Sequence, residues 1–196
     1  MAPQASTRSL AAQLWVVFLL FASPVIGMMG VDGLRQMDLL QRIGISGVLV
    51  LGGVLLSLSL AWQMTPGSLQ PIPTKVAIPV LAAGFLLGTA LLFPWHAPEA
   101  FLARGWHCFK AGIAMAVPSA ILFGLLAHRG VPLAIGRLGG TLGAIGGLFG
   151  VTVLQFTCNR QEAGHPLVWH GGVLVASILM GLLIAQVVSR VSGRRP

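Results

Sequence analysis

Residues 43–62 read IGISGVLVLGGVLLSLSLAW, twenty positions without a charge, an amide or a proline. At the helical rise such a stretch is about 30 Å long, which matches the hydrocarbon thickness of a bilayer. A transmembrane strand would alternate lipid-facing and inward-facing residues over about ten positions. Residues 48–60 are instead continuously apolar or small. The segment therefore reads as a membrane-spanning helix.

Five more blocks of the same kind flank it, at 10–29, 76–93, 108–127, 138–157 and 169–188. Polar, proline-bearing or glycine-bearing connections separate them, at 32–42, 63–75, 94–107, 128–137 and 159–165, with a basic tail at 190–196. The expectation is an all-α integral membrane bundle, residues 1–196 forming a single six-helix transmembrane domain with no soluble domain. Arg8 precedes the first block in the manner of a signal peptide, but the run is long and no A-x-A site follows it, so an uncleaved span is expected.

Composition agrees with that reading. The 196 residues are 56% hydrophobic and 8% charged, where soluble domains carry about a quarter charged residues. The net charge of +8 is spread singly between apolar blocks, so direct nucleic-acid binding is not expected. No P-loop, GxSxG or HExxH pattern occurs, which removes the common nucleotide and hydrolase sites. No enzymatic activity is expected.

Six spans place both termini on one side, and the loop charges choose which. Arg8, Lys75, Arg129, Arg137, Arg190, Arg194 and Arg195 fall with the termini, against Arg35, Arg42, Arg104, Lys110 and Arg160 opposite, seven to five. The positive-inside rule then puts both termini in the cytoplasm. All four acids, Asp32, Asp38, Glu99 and Glu162, fall outside.

The fifth block carries GRLGGTLGAIGGLFG over 136–150, where Gly136 and Gly140, then Gly139, Gly143 and Gly147, then Gly146 and Gly150 recur every fourth position. This stacks bare backbone on a helical face, and close helix approach in lipid depends on such residues. The block is expected to be the packing helix of the bundle. It is not a dinucleotide fingerprint, since no strand precedes it and no acid follows at the required distance.

The two cysteines, Cys108 and Cys158, are equidistant from position 133, in the turn after Pro132. In an antiparallel helical hairpin such residues lie at equal depth, here at the outer face. His96, His107, His165 and His170 fall on that side, as do Trp95, Trp106 and Trp169, which suit an aromatic belt. Three readings of the pair stand open: small packing residues, a disulfide or thiol switch in an oxidising compartment, or a soft metal site with His107 or His170. No CxxC or HxxxH spacing selects among them.

Taken in order, several of these elements form a more specific pattern. Residues 106–133 read WHCFKAGIAMAVPSAILFGLLAHRGVPL, the glycine-rich helix follows, and residues 154–172 read LQFTCNRQEAGHPLVWHGG. Trp106 and Cys108 head the fourth span, Pro118 lies within it, Arg129-Gly130-Val131-Pro132-Leu133 makes the turn, Cys158 closes the fifth span and Trp169 opens the sixth. Over roughly its C-terminal half the chain thereby resembles the NrsF family of bacterial six-span membrane proteins. The resemblance implies an anti-sigma factor of the inner membrane that holds an extracytoplasmic-function sigma factor inactive. It also implies that Cys108 and Cys158 sense heavy-metal or redox stress, with no resident cofactor beyond transient metal. The chain differs from the family in placing only residues 1–9 before the first span. The sigma-binding surface is then expected on the inner loops 66–75 and 128–137 and on the tail. The main alternative is a small transporter or channel, which the near-absence of charge within the blocks disfavours. A membrane thiol oxidoreductase would ordinarily need a CxxC pair.

Overall fold

The computed structural model describes residues 7–64, 72–96, 101–127 and 135–191. The expected sigma-contacting loops and tail fall largely outside these residues. The described chain is helical, with no strand among the described residues. In order come α1 (Thr7–Met29), a short α2 (Asp32–Gln36), α3 (Leu39–Gln63), α4 (Thr74–Leu92), α5 (Phe101–Ala127), α6 (Ile135–Thr157) and α7 (Gly171–Val191), the last opened by a π turn over Pro166–His170. Helices α3, α4, α5, α6 and the joined π turn and α7 are each long and apolar enough to cross a bilayer.

Their outward faces carry Leu51, Leu87, Leu91, Leu125, Leu183 and Val187, all well exposed. A surface of that kind is suited to lipid rather than water. Pro24, Pro79 and Pro118 lie within α1, α4 and α5, which membrane helices tolerate because neighbours and local backbone adjustments satisfy the freed carbonyls.

Helix α6 is the axis of the bundle, touching α1, α2, α3, α4, α5 and α7 and buried without a break from Gly143 to Gln155. Its glycines explain how so many neighbours fit. A β-carbon at Gly139 would overlap the Gly181 carbonyl of α7, and one at Gly143 the Ser177 carbonyl. A β-carbon at Gly146 would lie 2.6 Å from the Ala116 oxygen of α5, and one at Gly150 2.5 Å from the Gly112 oxygen. Gly140 and Gly147 meet Leu182 and Leu174 of α7 at 3.0 Å. The glycine face is thus wide enough for two helices to share. Gly136 alone of the seven has open space before it.

Helices α5 and α7 spread toward the start of α6, leaving an apolar groove of about 350 Å³ between Ala120, Leu138, Gly139, Gly181 and Ala185. At that same end α3, α4 and α6 are joined by a buried polar knot. The Gln63 amide donates to Thr74 Oγ1 at 2.8 Å and to Thr141 Oγ1 at 2.9 Å, and Ser59 Oγ lies 2.9 Å from Thr74 Oγ1.

The opposite end is organised by caps. Gly30, at φ +85°, closes α1 in the left-handed region, its N–H bonding the Ile26 carbonyl. Asp38 and Gln41 form a reciprocal capping box at the start of α3. Gln41 also donates to the Leu92 carbonyl at the end of α4, and the Arg42 guanidinium binds the Met37 and Arg35 carbonyls. Helix α2 then lies across the end of α6: a β-carbon at Gly33 would sit 2.5 Å from the Cys158 oxygen.

Several boundaries move from those read in the sequence. Residues 101–107 continue α5 back to Phe101, so Cys108 lies two turns inside a helix. The fifth and sixth blocks likewise begin earlier, at Ile135 and at Pro166.

Candidate metal centre

Four side chains converge at the α2 end of the bundle. Cys108 comes from α5, Cys158 from the residue after α6, His165 from the connection that follows, and His170 from the π turn. Their donor atoms all lie within 4.8 Å of one another. Cys108 Sγ is 3.5 Å from Cys158 Sγ, and Cys158 Sγ is 3.6 Å from His165 Nε2. The two imidazoles meet edge to face, with centroids 5.4 Å apart.

The backbone explains why residues five apart share this site. An α-helix would set His165 and His170 roughly 140° apart around its axis. A turn closed by i→i+5 bonds brings them back toward one face, and such turns are frequent at functional sites. The connection itself is pinned by the Ala163 N–H, which donates to the Pro94 carbonyl at 2.8 Å.

Burial at the site is deep. His170 is fully buried, His165 is 2% exposed and Cys158 is 9% exposed, while Cys108 is partly open. The hydrogen bond with Cys108 and then burial push the Cys158 thiol well above the ordinary cysteine range.

Behind the donors stands a chain of amides. His170 Nδ1 is 3.1 Å from Gln155 Oε1. Gln155 Nε2 donates to Gln161 Oε1 at 3.4 Å, and Gln161 Nε2 donates to the carbonyls of Cys158 at 2.9 Å and Gly33 at 3.3 Å. Since an amide oxygen only accepts, the His170 proton belongs on Nδ1. His170 Nε2 is left buried and without a hydrogen-bond partner.

The structure thus brings together Cys108, Cys158 and His170 from the residues singled out in the sequence. His107 is not among the four. It is exposed on α5, about 100° around the helix from Cys108, and His165 stands in the cluster instead. Gln155 also escaped the sequence reading, although an amide inside an apolar block, one turn before Cys158, was a visible signal. Trp169 packs on Phe101 with centroids 5.6 Å apart and fills the space before Gly105, whose β-carbon would overlap the indole. Trp106 stacks on Phe109 and is half exposed, as is Trp95. No protein-family model, curated protein or solved structure matches the chain.

Proposed function

We propose that this protein is a six-span regulator of the bacterial inner membrane, an anti-sigma factor that restrains an extracytoplasmic-function sigma factor and senses metal or redox stress through Cys108 and Cys158. In this reading α1 is the sixth span, both termini are cytoplasmic, and the cysteine end of the bundle faces outward. The observation that carries it is the 3.5 Å approach of two thiols, one within α5 and one just past the end of α6. A link between them would tie α5 to the end of α6, and α6 touches every other helix. A stimulus on one face thereby has a mechanical route to the other. The resemblance over residues 106–172 supports the sigma factor as partner.

Among the described residues no Asp, Glu, Lys or Arg is buried. That weighs against the alternative of an ion-coupled transporter or channel, whose path would be marked by intramembrane charge. A pair without a second thiol couple also suits a switch better than a turnover cycle.

The test is a sigma-dependent reporter in cells with and without this gene, together with affinity purification of the tagged protein from membranes. Deletion should raise the reporter and the purified protein should retain a sigma factor. An unchanged reporter, with a transported solute or quinone retained instead, would overturn the assignment.

A further inference from the structure

We infer that Cys108, Cys158, His165 and His170 are the four ligands of a borderline-soft divalent cation, Zn²⁺ or Cd²⁺, and that Gln155 is the positioning residue that aims His170 at it. The inference deepens the proposed sensor by naming what it binds, and it rests on that reading for its regulatory consequence. The geometry of the site stands independently.

The donor atoms are spaced for a tetrahedral cation. Tetrahedral Zn²⁺ with Zn–S bonds of about 2.3 Å holds its sulfurs about 3.8 Å apart. The sulfurs here are 3.5 Å apart, Cys158 Sγ to His165 Nε2 is 3.6 Å, and no pair of the four donor atoms exceeds 4.8 Å. Small side-chain movements suffice to close all four on one centre. The donor set, two sulfurs and two imidazole nitrogens, is one that Zn²⁺ and its soft congeners favour.

One ring nitrogen of the cluster is an orphan. A buried polar atom without a partner is costly, yet His170 Nε2 is such an atom in a fully buried residue. Gln155 holds the ring proton on Nδ1, which leaves the lone pair on Nε2, the nitrogen free of any hydrogen bond. Metal-ligating histidines are commonly fixed by this kind of outer hydrogen bond. A Cys108–Cys158 disulfide would leave both imidazoles and the Gln155–Gln161 relay without a role.

The charges also balance. On binding, each thiol releases its proton to solvent and forms a metal–sulfur bond, while the two imidazoles coordinate as neutral ligands. No electron is transferred. Two thiolates cancel the dication, so the loaded site carries no net charge in surroundings where an uncompensated one would be expensive.

Cobalt(II) serves as the probe. The full-length protein, purified in detergent under reducing and anaerobic conditions, is titrated with Co²⁺ and followed by absorption. One equivalent should give the intense visible band of tetrahedral cobalt and a thiolate-to-cobalt band in the near ultraviolet, both bleached by Zn²⁺. Cys108→Ser and His170→Ala should lose the tetrahedral spectrum. His107→Ala should keep it. Gln155→Leu should bind about 10- to 100-fold more weakly, and Gln155→Glu, which restores an acceptor for Nδ1, should recover the affinity. Thermal melting in detergent confirms that each variant is folded, and Zn²⁺ should raise the melting temperature of wild type but not of His170→Ala. A missing thiolate band, a spectrum unchanged in both His165→Ala and His170→Ala, or a Cys108–Cys158 disulfide in anaerobically isolated protein would each overturn the site. Cobalt binding with a silent sigma reporter would retain the site and retire the regulator. A reporter that responds to metal while the protein binds none would do the reverse.

Discussion

Gly143 of α6 faces the main-chain carbonyl of Ser177 in α7 so closely that a β-carbon at 143 would overlap that oxygen. Main chain cannot step aside as the tip of a side chain can, so even alanine forces the two helices apart. Gly143→Ala should lower stability by about 1–3 kcal/mol, the usual cost of overpacking. Gly136→Ala meets open space and gains helix propensity of up to about 1 kcal/mol, so it should be neutral or stabilising. Melting of the two variants in detergent decides the matter. Equal melting temperatures would show that α6 and α7 do not pack as described.

Gly105→Ala drives a methyl group into the Trp169 indole. Trp169 precedes His170 in the π turn, and Gly105 is three residues before Cys108, so the displacement loosens both flanks of the cluster. Alkylation of Cys158 in the folded protein should be measurably faster than in wild type. An unchanged rate would mean that Trp169 does not help to hold the cluster shut.

At the other end, Gln63→Leu removes an amide that donates to Thr74 and Thr141. Gln63 Oε1 is already unpaired, so the loss should be modest, about 1 kcal/mol. Gln63→Glu should be worse, because its ionised form buries a charge with no basic partner described nearby. The order of the two melting temperatures tests the knot. Glutamate melting above leucine would contradict it.

Orientation is testable with the cysteines themselves. A membrane-impermeant maleimide added to spheroplasts should label Cys108 before Cys158, since Cys108 is the more open of the two. Labelling that appears only after lysis would reverse the proposed topology.

The last prediction concerns signalling. Cys108→Ser and Cys158→Ser should each alter the sigma-dependent response at unchanged protein level, and the double variant should add nothing further. A two-residue link is lost when either thiol goes, so the effects are not additive. Wild-type basal and induced activity in all three variants would leave the cysteines as packing residues.

The helices were legible because each apolar block is as long as a bilayer is thick, and the polar stretches between them cannot lie in lipid. Equal depth for Cys108 and Cys158 was legible too, from their symmetry about position 133, and their sulfurs meet at 3.5 Å. Among the histidines His170 was legible, and His165 was not. His107 shares the outer level with Cys108, but adjacent helical residues point about 100° apart. His165 enters only because the backbone opens into a π turn at Pro166–His170, and five-residue spacing in an α-helix would argue against the pair. Helix α2 was likewise hidden in a connection read as a loop. It lies on α6 through Gly33, which shows its bare backbone to the Cys158 and Gln155 carbonyls.

The Gln63–Thr74–Thr141 knot gives α6 a fulcrum. Sliding α6 along its axis would break the bonds from Gln63 to Thr141 and offer the amide no new hydroxyl at that depth, whereas tilting about Thr141 strains them little. Cys158 lies 17 residues further on, about 25 Å away at the helical rise. A 1 Å displacement at the thiol is then a rotation of about 2° for the whole rod. At its short end α6 is held to α7 by the close approach of Gly139 and Gly181, so the long arm that carries Cys158 takes most of the travel.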